Sequence, residues 1–273
     1  MVGTHIRLNE TLNHVIEKAT NLNVPIFQMF LINSQGKRIK VTPEEKQFFI
    51  EMQQKFDSIF VHASYWVNLS SEAPHGMRSL VKELNLALQL GLNKIIIHPG
   101  AAVGFTTKEE GIEALTRRLN EIIKKHPNVT ILLENTTHAK NCIGSDIKDF
   151  GNILEKIERP ENIQICVDTS HAYAYGYDIS TNEGQEEFLQ ELDDAVGLNK
   201  IGLIHLNDTQ EELGNKIDRH AIPGTGNIGE AALKQFINRD KLKNIPIVLE
   251  LPVVSKQEEI DSIEKIKAWR NHE

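Results

Sequence analysis

Cysteine is scarce in this 273-residue chain: Cys142 and Cys166 are the only two, and they stand at no metal-ligand spacing. Cys-based zinc ribbons and fingers are thereby excluded, and so low a count suits a reducing compartment. Long apolar runs are missing too, since none approaches the roughly 18 residues of a membrane span. Residues 1–9 lack the basic-then-apolar order of a signal peptide. The expectation is therefore a cytoplasmic, intracellular protein with no membrane partner. Basic residues are not in excess: 30 Lys and Arg stand against 38 Asp and Glu, a formal net charge of -8. That balance argues against binding nucleic acid through overall charge, but leaves room for a local basic groove. No Pro/Gly/Ser-rich linker or shift of composition divides the chain, so one domain over residues 1–273 is expected. A chain of this length buries about three quarters of its unfolded surface, so neither disulfides nor a structural metal are needed to hold it together.

What is present is a regular alternation. Eight short, β-branched-rich apolar segments (residues 3–8, 24–31, 58–64, 94–100, 129–135, 164–169, 200–207 and 245–251) read as strands buried on both faces. Helical periodicity occupies residues 12–22, 77–90, 108–125, 146–157, 184–196, 230–237 and 257–270. This pattern predicts an α/β fold, a (β/α)8 TIM barrel, with the active site at the C-terminal ends of the strands. A doubly wound open sheet is the alternative, but the glycine-rich turn that usually follows its first strand is missing.

Metal-ligand residue types close nearly every strand: His5, His62, His98, Glu134, Asp168 with His171, His205 and Glu250. Any one of these histidines could be a hydrogen-bonded imidazole lining a polar rim. The set is harder to explain that way, because burying several imidazoles and carboxylates together is costly unless they are paired or coordinate metal. In Asp168-Thr169-Ser170-His171 the two ligand types are three apart, whereas one face of a strand repeats every two, so they should aim at different points. Asp218-Arg219-His220 has the two-residue spacing that suits joint ligation of one ion. Imidazole and carboxylate without thiolate favours zinc, or manganese or iron, in an open site. The number of candidate ligands implies two or three ions.

Such a cluster activates water and stabilises the oxygens of an in-line displacement at phosphorus, which makes phosphodiester hydrolysis the natural reaction class. Covalent catalysis is disfavoured, because no serine or cysteine lies in a nucleophile-elbow sequence.

Val61-His62-Ala63-Ser64-Tyr65, Ile97-His98-Pro99-Gly100, Leu133-Glu134-Asn135, Val167-Asp168-Thr169-Ser170-His171-Ala172, His205-Leu206-Asn207-Asp208, Asp218-Arg219-His220 and Leu249-Glu250 occur in this order. On these motifs the chain resembles the endonuclease IV family (AP endonuclease family 2) over nearly its whole length. The resemblance implies a (β/α)8 barrel with three Zn2+ ions per chain, Mn2+ or Fe2+ being alternatives at some positions. It implies a monomer that acts on double-stranded DNA, cutting 5′ of abasic sites to leave a 3′-hydroxyl and a 5′-deoxyribose phosphate, and trimming blocked 3′ ends. His62, His98 and Glu134 would hold the first metal. Glu134, the expected catalytic carboxylate, would bridge to a second completed by Asp168, His205 and Glu250, and His171, Asp218 and His220 would hold the third. Three divalent ions would bring the formal charge from -8 to -2, all of it gained where a phosphate must sit.

The DNA-handling positions implied by the resemblance are Tyr65, Lys37, Arg38 and Arg219. Tyr65 also reads as an aromatic packed beside His62. Lys37 and Arg38 stand in a loop that departs from the family's Arg and Trp, and also read as a solvated basic turn; Arg219 also reads as a group that orients its neighbours. Two other functions compete. A sugar isomerase or epimerase of the xylose-isomerase-like group would need only Glu134, Asp168, His205 and Glu250. A non-catalytic DNA lesion binder would keep the fold without needing Glu134 between two ions.

Overall fold

The computed structural model describes residues 1–7, 11–32, 41–138 and 140–270. Eight strands close a barrel in chain order, each parallel to its neighbours: β1 (Val2–Ile6), β2 (Ile26–Phe30), β3 (Ser58–His62), β4 (Lys94–Ile97), β5 (Thr130–Glu134), β6 (Ile163–Asp168), β7 (Ile201–His205) and β8 (Ile247–Leu249). Pairing of β1 with β8 completes the ring, so no sheet edge is left open. The helices among the described residues are α1 (Leu12–Asn21), α2 (Pro43–Met52), α3 (His75–Gln89), α4 (Lys108–Lys125), α5 (Lys148–Leu154), α6 (Thr169–Tyr175), α7 (Asn182–Val196), α8 (Glu230–Ile237) and α9 (Lys256–Arg270). None is long and apolar enough to cross a membrane.

The expected strands are all present, each ending one to three residues sooner than periodicity suggested, and β1 and β6 begin one residue earlier; Leu8, placed in the first of them, lies outside the described residues. His98 and Glu250 consequently sit just past β4 and β8. Two helices were not anticipated. Helix α2 buries only Phe49, too little for an apolar stripe, and its signal is instead its start: Pro43 at the first turn and a reciprocal capping box between Thr42 and Glu45. Helix α6 begins directly where β6 ends, with the Asp168 carboxylate accepting from the His171 amide at 2.8 Å. Contrary to what their spacing suggested, Asp168 and His171 do not lie on one strand. The backbone switches from strand to helix between them, and instead of aiming apart they bring donor atoms within 4.8 Å of one another, together with His220.

The core has two shells. The larger fills the space between strands and helices, and a smaller cluster of Ile26, Phe60, Ile96, Leu132, Cys166, Leu203 and Val248 fills the barrel interior, one side chain from each of β2 to β8. Strand side chains repeat on one face every two residues. Adding two to each interior position gives Gln28, His62, His98, Glu134, Asp168, His205 and Glu250. The next layer toward the C-terminal mouth is thus a polar ring standing directly on an apolar floor.

Candidate metal centre

Glu134 is fully buried near the middle of this ring, and its two oxygens face different partners. Oε2 lies 2.8 Å from His62 Nε2 and 3.0 Å from His98 Nε2, while Oε1 lies 2.9 Å from His205 Nδ1. Around the second oxygen, His205 Nδ1 is also 3.5 Å from Glu250 Oε2 and 3.8 Å from Asp168 Oδ2. The parallel register of β6 and β7, which sets Asp168 beside His205, makes this convergence possible. A third set lies further out: His171 Nε2 and His220 Nε2 are 3.4 Å apart, and Asp218 Oδ1 is 3.3 Å from each. Asp168 Oδ2, 3.6 Å from His220 Nε2, links the second and third sets.

Donor atoms of His62, His98 and Glu134, of Glu134, Asp168, His205 and Glu250, and of Asp168, His171 and His220 each fall within 4.8 Å of one another. The chemistry of the donors fits a borderline divalent cation. All are imidazoles or carboxylates, and a tetrahedron with arms of about 2.0–2.1 Å has edges of about 3.3–3.4 Å, the separations found among His171, His220 and Asp218. Ring orientation is held from behind. His62 donates Nδ1–H to the Ala63 carbonyl and His171 donates Nδ1–H to the Asn135 carbonyl, both at 2.8 Å, which leaves each Nε2 lone pair facing the cluster.

Electrostatics within the ring are strongly coupled. Burial alone would raise the Glu134 pKa, but the imidazoles, led by His205 and His98, outweigh it and hold the carboxyl well below its usual range. Burial likewise opposes a charge on His171, yet Asp168 and Asp218 raise it well above an ordinary imidazole. His5, in contrast, is pushed by burial down to about 3 and is neutral at physiological pH. Burial lifts the Cys166 thiol on the barrel floor up to about 12, so it offers no thiolate.

Neighbouring loops are fixed by buried polar groups. Asp208, fully buried after β7, accepts from the amides of Thr209 and Ile228 at Oδ1 and of Gly224, Gly226 and Gly229 at Oδ2. A side chain at Gly226 would collide with the Thr209 carbonyl, so only glycine admits this close approach. A two-way backbone pairing of Asp208 with Ala221 then places the adjoining Asp218 to His220 segment over the ring. On the opposite side, Glu83 holds Ser64 through both its amide and its hydroxyl, and the Arg118 guanidinium donates to the carbonyls of Leu69 and Ser71. Between these clamps the chain presents Tyr65 and Trp66, 69% and 78% exposed, immediately after the buried pair Ala63 and Ser64.

Of the expected DNA-contact residues, Tyr65 stands over the cluster with its ring 5.7 Å from His98 and 6.1 Å from His62. Arg219 is exposed and paired with Glu211 at 3.0 Å. Lys37 and Arg38 lie outside the described residues. Sequence reading missed Trp66, although an aromatic directly after Tyr65 in a polar loop was the available signal. It also gave no role to Gln28, whose position in the strand period would have placed it in the ring, while His5, read with the strand-end ligand types, falls in none of the three donor groups. A cavity of about 330 Å³ opens beside the ring between Arg7, Phe30, Tyr65, Asp218, Glu250 and Pro252. A surface hollow of about 1100 Å³ lies between α5 and α7 on the barrel flank and contains none of these groups. The candidate metal ligands converge at the mouth instead.

A family model described as a xylose isomerase-like TIM barrel matches residues 16–272. The probable endonuclease 4 of Nitrosopumilus maritimus (strain SCM1) is 31% identical over 277 residues, covering 98% of this chain and 99% of that protein. The apurinic-apyrimidinic endonuclease of Caenorhabditis elegans is 30% identical over 269 residues, 95% of this chain and 68% of that protein. Among solved structures, endonuclease IV from Thermus thermophilus superimposes with a TM-score of 0.85 at 28% identity, covering 98% of both chains.

Proposed function

This chain belongs to the endonuclease IV family, and from that membership and the polar ring we propose that it is a metal-dependent DNA repair endonuclease. Its substrate is double-stranded DNA with an abasic site; it hydrolyses the phosphodiester on the 5′ side, leaving a 3′-hydroxyl and a 5′-deoxyribose phosphate, and it removes blocking groups from 3′ ends. The observation that carries this reading is the gathering of nine imidazoles and carboxylates at one barrel mouth, eight of them in three overlapping groups and Asp218 3.3 Å from His171 and His220, with Glu134 shared between two of the groups.

His62, His98 and Glu134 would hold a first divalent cation, Glu134, Asp168, His205 and Glu250 a second, and His171, Asp218 and His220 a third, with zinc the ion the donor set suits best. Ions held there supply a water of lowered pKa and offset charge at phosphorus. The protein's part is to aim the donors. Glu134 keeps two sets at a fixed spacing by offering one oxygen to each, and the backbone carbonyls behind His62 and His171 keep their free nitrogens turned inward. Tyr65 and Trp66, carried on a clamped loop at the rim, offer aromatic faces to unpaired or unstacked bases. An intracellular location and a monomeric state accompany this reading.

A sugar isomerase on the same barrel would use Glu134, Asp168, His205 and Glu250 and would leave His62, His98, His171, Asp218 and His220 without a purpose. The deciding experiment incubates metal-replete protein with a duplex carrying one tetrahydrofuran abasic analogue, beside a chelated control. Nicking at the analogue only in the metal-replete sample is expected. No nicking by folded, metal-replete protein would end the proposal.

A further inference from the structure

Gln28, fully buried on β2, is an amide in a ring otherwise composed of imidazoles and carboxylates. His62 and His171 turn Nε2 toward the cluster and satisfy Nδ1–H on a backbone carbonyl nearby. His205 is inverted. Its Nδ1 faces Glu134 and Glu250, so its Nε2 points across the barrel toward β2. Strand carbonyls there are committed to the sheet ladder, and only a side chain can supply an acceptor. Gln28 Oε1 supplies it at 2.7 Å.

The orientation of the amide follows from its other partners. Gln28 Nε2 lies 2.6 Å from Glu250 Oε1 and 2.9 Å from His5 Nδ1. A flipped amide would set an oxygen against the Glu250 carboxylate, so the nitrogen faces Glu250 and the oxygen faces His205. An oxygen facing His205 requires Nε2–H on that ring, which leaves the lone pair on Nδ1. We infer that Gln28 is a positioning residue of the second ligand set, selecting the His205 tautomer that can bind a cation while tying down the Glu250 carboxylate. Both remote donors of that set are thus governed by one side chain, from a strand that contributes no ligand of its own. The inference rests on reading Glu134, Asp168, His205 and Glu250 as a metal-binding set, as above.

Gln28→Met preserves the length of the side chain but neither accepts from His205 as an amide does nor donates to Glu250. Gln28→Glu keeps an acceptor for His205 and places an oxygen against Glu250. The full chain and both variants are loaded with Zn2+, and the equivalents retained are titrated against a competing chelator; Co2+-substituted samples are compared by visible absorption. Circular dichroism of the metal-stripped proteins checks the fold. One equivalent should be retained about 10–100-fold more weakly in each variant, with an altered Co2+ spectrum and the remaining equivalents unchanged. Wild-type retention and an unchanged Co2+ spectrum in either folded variant would overturn the inference, and Gln28→Glu, the closer isostere, decides the matter where Gln28→Met does not fold. Glu250→Gln tests the set itself: if it leaves the stoichiometry and affinities of the otherwise wild-type chain unchanged, the set falls and the inference with it.

Discussion

His171 and His220 bring their Nε2 atoms to 3.4 Å although 49 residues separate them in the chain, with Asp218 Oδ1 3.3 Å from both. Lone pairs turned toward one another at this separation repel, and a cation held between them would relieve that repulsion. The loop bearing Asp218 and His220 is held in place by Asp208, so the trio is set by the fold rather than by mutual attraction alone.

Replacing Asp218 with Asn should therefore remove one metal equivalent and leave the other two. Asp218 is the most exposed member of its set, so the barrel should remain folded. Metal analysis after gel filtration, with circular dichroism alongside, would read both. Retention of every equivalent would remove Asp218 from the metal ligands.

Glu134→Gln should leave a folded barrel but cut abasic-site cleavage by about 10²–10³-fold, the scale on which one preorganised electrostatic group acts. An amide cannot offer an anionic oxygen to each of two sets. Single-turnover cleavage of the tetrahydrofuran duplex measures the loss, and near-normal turnover would remove Glu134 from its bridging role.

Metal binding should release protons at pH 7. Burial works against charge on His62 and His171, but Glu134 in the first case and Asp168 with Asp218 in the second raise both above an ordinary imidazole. Raised folded values mean that these groups stabilise the metal-free protein fully below about pH 6.5, and that this stabilisation is lost as pH rises through the raised values. The carboxyl of Glu250 goes the other way: burial opposes ionisation, His205 outweighs it, and the value falls to about 2, so its contribution is present above about pH 4.3 and lost as pH falls through about 2. Because a cation needs the neutral imidazoles, apparent metal affinity should rise with pH between about 6 and 8. Calorimetry in buffers of different ionisation enthalpy counts the protons; a pH-independent affinity would contradict the shifts.

Trp66→Ala should weaken binding of an abasic duplex by about 5- to 150-fold, corresponding to the roughly 1–3 kcal/mol of one base–aromatic stack. Metal content and melting temperature should hardly move, because the indole is 78% exposed and makes little of the core. Fluorescence anisotropy with labelled duplex is the direct measurement. Unchanged affinity would leave Trp66 a bystander.

Much of this was legible in the chain. Strand period and residue type were enough to place His62, His98, Glu134, Asp168, His205 and Glu250 at one end of a parallel barrel, because side chains two residues apart share a strand face and parallel strands share a direction. The start of α2 was written in Thr42, Pro43 and Glu45 but not in the apolar pattern, since that helix buries almost nothing. Tertiary structure alone decided which donors meet. Barrel closure and the register of each pair set the angle at which every ring position faces the axis, and this is what gives Glu134 one oxygen for each of two sets, turns His205 toward Gln28, and makes Asp208 a five-amide anchor for the loop carrying Asp218 and His220. Those relations join residues up to 177 positions apart. Local periodicity reports only which face of its own strand or helix a side chain occupies, so the distances across the mouth arise when the barrel closes.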